Sequence, residues 1–520
     1  MKHSMPSFLT FQRLAGVSCA FVLLAGCAVG PDYTRPTQDV GAAYKAQTMA
    51  GWSRAQPADH LPRGAWWGIY QDPILDDLMR QLAVNNQNVV QAEANYRAAV
   101  ATLRNTRSGL FPTVGTTGGV TRSGNGTSRS STSSVIDPDL GGRSFGSGPS
   151  NQYSLSGSVS WEADLWGRVR RGVEADDAAA MGAGATLAST QLSQQSTLAQ
   201  TYFQLRVLDE QRKLYARTIA SFERSLRTTV NRYEAGLVPK SDVAIAQTQL
   251  ENGRATQLDQ EQERALLSNA IALLLGQPPS RFALAEVAFE QEVPAIPVGL
   301  PSDLLQRRPD VAAAEREAAA ANARIGVGQA AWFPSLTLSA NGGWRSSQFA
   351  DWIATPARFW TLGPELALTL FDGGARRAQV DQARAQYDAQ AAAYRQSVLT
   401  ALREVEDYMV TLDVQQQAQV VRLRALDAAR ESLRLTRNQY DEGLIGFLDV
   451  AAVENTALTA EREALSVVQN RLVASVQLIA ALGGGWDVSR MVDPLADPQA
   501  EPHDDADIPP SAPRTTLSVE

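Results

Sequence analysis

The stretch that decides the fold is SVLTALREVEDYMVTL, residues 397–412, within a run from Ala375 to Tyr440 that holds neither Pro nor Gly across 66 residues. Val398, Leu402, Val405, Met409 and Leu412 step by four, three, four and three, the seam of a coiled coil. A helix of this length runs about 100 Å, which has no place in a compact domain. A second run, Arg170 to Tyr233, lacks Pro, and its last Gly is Gly184. Each run ends in a turn, Glu234-Ala235-Gly236 and Asp441-Glu442-Gly443, where Gly can take the left-handed conformation. Helices then return over Ser241 to Leu275 and Phe447 to Leu482.

The pairing of long runs reflects a duplication. Phe111-Pro112-Thr113 recurs as Phe333-Pro334-Ser335, and Asn88 to Glu93 fits Asp310 to Glu315, both offset by 222. Tyr233, Gly236, Leu237, Asp242 and Val243 recur as Tyr440, Gly443, Leu444, Asp449 and Val450, offset by 207. The first copy therefore carries 15 extra residues, and the Ser/Gly-rich stretch from Gly124 to Ser150 is the place for them. Each copy reads helix, two strands, very long helix, helix. The first of these helices spans Ile74 to Arg107.

The strands alternate with period two. Tyr153, Leu155, Gly157, Val159, Trp161, Ala163 and Leu165 alternate with Ser154, Ser156, Ser158, Ser160, Glu162 and Asp164. Leu336 to Arg345 and Thr361 to Leu370 do the same, and Thr113 to Arg122 does so weakly. Alternation alone fits a membrane barrel or a soluble sandwich with one wet face. The long helices favour the barrel. Four strands cannot close one, so the chain must oligomerise: two copies give 8 strands and three give 12.

The chain has 520 residues, 44% apolar and 20% charged, with formal net charge −8. Eight acids against Arg490 and Arg514 from Asp487 onward make that charge mostly a tail, and no basic nucleic-acid surface is present. Only Cys19, Cys27, His3, His60 and His503 are available for Cys/His chemistry, which excludes a zinc cluster and disfavours nucleophilic catalysis. No metal site, cofactor or enzyme activity is expected. Lys2 and Arg13 precede an apolar stretch from Leu14 to Ala25, an export signal ending in Leu24-Ala25-Gly26-Cys27. Either Cys27 is lipidated or this is a plain signal peptide with an incidental Cys. No later segment has 18 consecutive apolar residues, so no spanning helix is expected.

The Leu-Ala-Gly-Cys ending resembles the bacterial lipobox, and Ala28 after it implies outer-membrane sorting. Further residues resemble the TolC-like outer-membrane factors, specifically their lipoprotein, NodT-type branch. They are Gly26 to Pro36, Trp66-Trp67 before Asp72-Pro73, Arg307 to Val311 with Ala314-Glu315, Ala330 to Ser335, Leu370 to Gly374 and Tyr440 to Val450. The resemblance runs from about residue 24 to 486. It implies a mixed α/β membrane protein: a homotrimer whose four strands per chain close one 12-stranded outer-membrane barrel, continued by a long periplasmic α-helical barrel. It also implies an exit duct for small molecules such as drugs, served by a periplasmic adaptor and an inner-membrane pump of the resistance-nodulation-division type. The only non-protein group expected is covalent lipid on Cys27.

The segments follow from these readings. They are a signal peptide (1–26), a lipid-anchored N-terminal segment (27–71), a first repeat (72–300), a second repeat (301–486) and an acidic, Pro-rich tail read as disordered (487–520). The first repeat has strands at about 112–122 and 153–165 and a long helix at 170–233; the second has strands at about 335–345 and 361–371 and a long helix at 375–440.

In the family a Tyr, an Arg and two Asp hold the helical tip as a gate. Tyr440 and Asp449 match the Tyr and first Asp, whereas Ile445 and Ala452 stand in place of the Arg and the second Asp. Asp449 is either a ring of carboxylates at a constriction or a helix-capping or solvated residue. Gly236 and Gly443 make the tip turns. Trp344, Trp352 and Trp360 flank the second hairpin, at a membrane interface or in loop packing. Gly326-Val327-Gly328 mimics a dinucleotide fingerprint in the wrong order, and small residues there suit close helix packing. The alternative to a conduit is a periplasmic adaptor or coiled-coil scaffold without a barrel.

Overall fold

The computed structural model describes residues 28–41, 44–45, 65–124, 150–287, 289, 293–294, 296 and 307–486. Cys27, the signal segment, the tail and most of the Ser/Gly-rich stretch lie outside the described residues.

After a short 3-10 turn at Trp66–Tyr70, the chain forms α1 (Pro73–Asn85), α2 (Gln87–Ser108), β1 (Thr113–Ser123), β2 (Ser150–Ala163), α3 (Arg168–Glu234) and α4 (Lys240–Leu274). The second copy forms α5 (Pro309–Ala330), β3 (Ser335–Ser346), β4 (Arg358–Ala367), α6 (Ala375–Asp441) and α7 (Phe447–Ala481). The duplication is metrical: α2 and α5 have 22 residues each, α3 and α6 67, α4 and α7 35. The β1–β2 connection has 26 residues and the β3–β4 connection 11, and this difference is the 15-residue change in offset.

Two readings need correction. The first helix, expected unbroken from Ile74 to Arg107, is two helices that part at Asn86, whose ψ is 121°. The Asn86 side chain accepts from the Asn88 and Val89 amides at 3.0 and 3.1 Å and donates to Leu274 O at 2.7 Å. A short amide competes here with the helical backbone and wins. The expected strands 153–165 and 361–371 lie two to four residues off, at 150–163 and 358–367. Asp164 begins the turn into α3, and β4 ends where its partner Ser335 ends the pairing.

All four strands form one antiparallel sheet in the order β1-β2-β3-β4. Of the α6 seam, Val398, Val405, Met409 and Leu412 are buried with Tyr394 and Ala401 against Val311 of α5 and Leu478 of α7, and Leu402 packs half-buried beside them. A second core gathers Tyr70, Leu75, Met79, Tyr202, Phe203 and Ile271 where α1 and the 3-10 turn cross α3. Among the described helices only α7 is long and apolar enough to cross a membrane, and 44% of that window is buried inside the chain. Its apolarity is spent on α6 and α3.

Candidate functional site: the sheet and the helical tip

Register keeps the alternation in phase across all four strands. Val114 pairs with Val159 and Gly118 with Leu155. Trp161 pairs with Leu338 and Leu155 with Trp344. Leu336 pairs with Leu366, Leu338 with Pro364 and Ala340 with Leu362. These residues share one apolar face, while Ser158, Ser160, Thr337, Ser339, Asn341, Thr361 and Glu365 share the other. The apolar face is bare: Val114 is 78% exposed and Leu362 74%. A sheet bare on its apolar side suits lipid outside and water inside. Strands β1 and β4 are its edges. They run in opposite directions, so β4 of one copy laid beside β1 of the next continues the antiparallel pattern.

The same device turns strand into long helix in both copies. Asp164 accepts from the Val169 and Arg170 amides at 3.0 and 2.9 Å, and Gly167 has φ +79°. Asp372 accepts from the Gly374 amide at 3.0 Å and the Arg376 guanidinium at 2.6 Å, and Gly374 has φ +96°. The Arg376 contact holds the Asp372 carboxyl below the usual carboxylate range. At this junction Trp166 stacks on Phe333 at 4.7 Å and its indole donates to Pro334 O at 2.8 Å.

The segment after residue 27 is tied to the junction. The Val29 amide donates to Trp166 O at 3.0 Å, and buried Arg171 donates to Val29 O, Gly30 O and the Asp32 carboxylate. Gly30 and Gly326 cross so closely that a Cβ on Gly30 would sit 2.5 Å from Gly326 Cα. The small residues of Gly326-Val327-Gly328 thus serve close packing. The sequence carries their spacing, but not the extended N-terminal segment they admit.

At the far end, Gly236 and Gly443 have φ +75° and +76°. In both turns the amide after the Gly reaches back to close the helix, Leu237 to Arg232 O at 2.8 Å and Leu444 to Gln439 O at 2.9 Å. Tyr440 is buried beneath Phe447, Val450 and Ala451. The Arg232 guanidinium lies 4.3 Å above its ring and donates to Tyr440 O at 3.1 Å. Asp449 is exposed in the first turn of α7, where its charge suits the helix dipole, but Gly446 holds the capping position. In the single chain Tyr440 and Asp449 are therefore not joined. No motif in the sequence marks Arg232, although it sits one residue before the repeat mate of Tyr440. Trp360 lies bare on the apolar face, whereas Trp352 joins Tyr153 and Phe349 in a ring cluster at the loop. No group of His, Cys, Asp or Glu suited to a metal ion occurs among the described residues.

Residues 78–277 and 300–484 match the family described as outer membrane efflux protein. The toluene efflux pump outer membrane protein TtgF of Pseudomonas putida is 32% identical over 482 residues, covering 90% of this chain and 95% of its own. The pyoverdine export outer membrane protein OpmQ of Pseudomonas aeruginosa is 31% identical over 493 residues, 93% of this chain and 98% of its own. The solved structure of the outer-membrane channel OprN superposes with a TM-score of 0.78 at 30% identity, over 88% of this chain and all of that one. The adaptor alternative fails on the sheet and on these likenesses. With four strands bare on one face and a duplicated pair of long helical hairpins, the chain belongs to the outer membrane efflux protein family, and it is a channel rather than an enzyme.

Proposed function

We propose that the chain is the exit duct of a tripartite efflux system. Three copies close a 12-stranded barrel, and the helices carry the duct into the periplasm. There it meets a periplasmic adaptor and an inner-membrane pump of the resistance-nodulation-division type. The observation that carries this reading is the in-phase apolar face ending in two free, oppositely directed edges. The cargo is small molecules of the kinds named for the relatives. Cys27 carries the lipid, as in the lipoprotein branch, and the ties of Val29 and Gly30 to the strand–helix junction support a chain end held at membrane level. The tip formed by Tyr440, Asp449, Gly236 and Gly443 is the gate.

The test is the mass of the complex extracted from outer membranes, with and without heating. A heat-sensitive species of three subunits is expected. A monomer, or a species of two subunits, overturns the 12-stranded barrel. Mass spectrometry of the mature N-terminus, with and without Cys27→Ser, checks the lipid.

A further inference from the structure

About two helical turns in from the start of α7, a buried carboxylate anchors a polar node that draws on all four long helices. Glu454 of α7 is 3% exposed. Its Oε1 accepts from Arg437 of α6, Nη2 at 2.5 Å and Nε at 3.2 Å. Its Oε2 accepts from Gln249 Nε2 of α4 at 3.2 Å. The same Arg437 Nη2 also donates to Ser221 Oγ of α3 at 2.9 Å. The ion pair lies within the second hairpin, α6–α7. The two neutral partners lie on the first, α3–α4, so only Ser221 and Gln249 carry this node across from one hairpin to the other.

Beside the node the hairpins meet in part, Ala246 against Phe447, Val450 and Ala451 and Leu458 against the cluster of Ile219, Phe222 and Leu250. A groove of about 570 Å³ separates Phe222, Ile245 and Asn252 from Ala451, Asn455 and Leu458. Dispersion contacts are missing across that space, so the polar bonds add to what the packing on its flanks supplies. A charged acceptor strengthens the Gln249 bond and a charged donor the Ser221 bond, and low local dielectric strengthens both further. Gln249 Oε1 is buried without a partner, so the amide is spent on Glu454 alone.

We propose that Ser221, Gln249, Arg437 and Glu454 form the latch that fixes the second hairpin against the first in this chain, which has Ile445 and Ala452 where the family latch has its Arg and second Asp. Glu454 and Arg437 are positioning residues: they hold α6 and α7, and through them Tyr440, in the arrangement of this structure, taken as the closed one. This rests on the gated-conduit reading above.

The test is single-channel conductance of the purified complex in planar lipid bilayers in potassium chloride. The double variant Ser221→Ala with Gln249→Leu cuts both crossing bonds and leaves the ion pair whole, so it strands no charge. A several-fold rise in conductance is expected, with the heat-sensitive oligomer intact. Glu454→Gln is expected to move conductance the same way. Exchanging the pair, Arg437→Glu with Glu454→Arg, is expected to restore the wild-type value, because Gln249 Oε1 can then accept. A wild-type conductance in the Ser221/Gln249 double variant overturns the latch alone. If neither wild type nor variants conduct, the conduit reading falls with it.

Discussion

The two tips are built from matched residues and end in different surroundings. Tyr233 and Tyr440 stand at the same place in the two copies, three residues before a left-handed Gly, yet Tyr233 is 42% exposed and Tyr440 7%. The cause is tertiary. Arg232 of the first hairpin covers the Tyr440 ring, and Phe447 packs against it from below. The mates of these residues are Gln439, which carries no charge, and Lys240, which has no ring to stack. The long helices differ in the same sense. At 67 residues each, α3 buries 22 residues and α6 only 11. α3 is packed from several sides within the chain, whereas Val410, Val414, Val421 and Leu435 of α6 stay open in the single chain. The proposed trimer covers that kind of face. Duplication copies the element, and the neighbours decide what each copy does.

The contrast between left-handed glycines at the two ends of a hairpin gives the largest expected effect. A Cβ on Gly483 would lie 1.9 Å from Arg307 O, at φ +98°. Gly483→Ala forces backbone apart and is expected to abolish the heat-sensitive oligomer on unheated gels. Next comes Tyr440→Ala, which empties the buried tip cluster at a cost of about 3 kcal/mol, read as earlier thermal unfolding and faster proteolysis near Gly443. Gly443→Ala meets no atom within 4 Å, so only its backbone conformation is penalised. The expected cost is about 1 kcal/mol, measured by the same unfolding curves. Tyr233→Ala is expected to change stability by less than about 0.5 kcal/mol. Equal effects at Tyr233 and Tyr440 would break the comparison between the two tips, and a larger loss at Gly443 than at Gly483 would reverse the one between the two hairpin ends.

Much of this was legible in the residues. Absence of Pro and Gly sets helix length, and period-two alternation sets the strands, because both depend on local backbone chemistry. The offset change from 222 to 207 locates the longer hairpin loop. The break at Asn86 is not legible in composition, because one polar side chain, bonded to Leu274 O far along the chain, stops a helix that composition would continue. The tip was half legible: Tyr440, Gly236 and Gly443 repeat in the sequence, but Arg232, Ser221 and Gln249 have no motif of their own.

By itself the sequence determined the elements, their duplication and the two-faced sheet, since these follow from spacing along one chain. Only the tertiary structure decided which of two matched tyrosines is buried, which glycines tolerate a methyl group, and that Glu454 is met by Arg437 and Gln249, with Ser221 joined through Arg437. Those depend on distances between segments some 200 residues apart in the chain, and no local pattern encodes them.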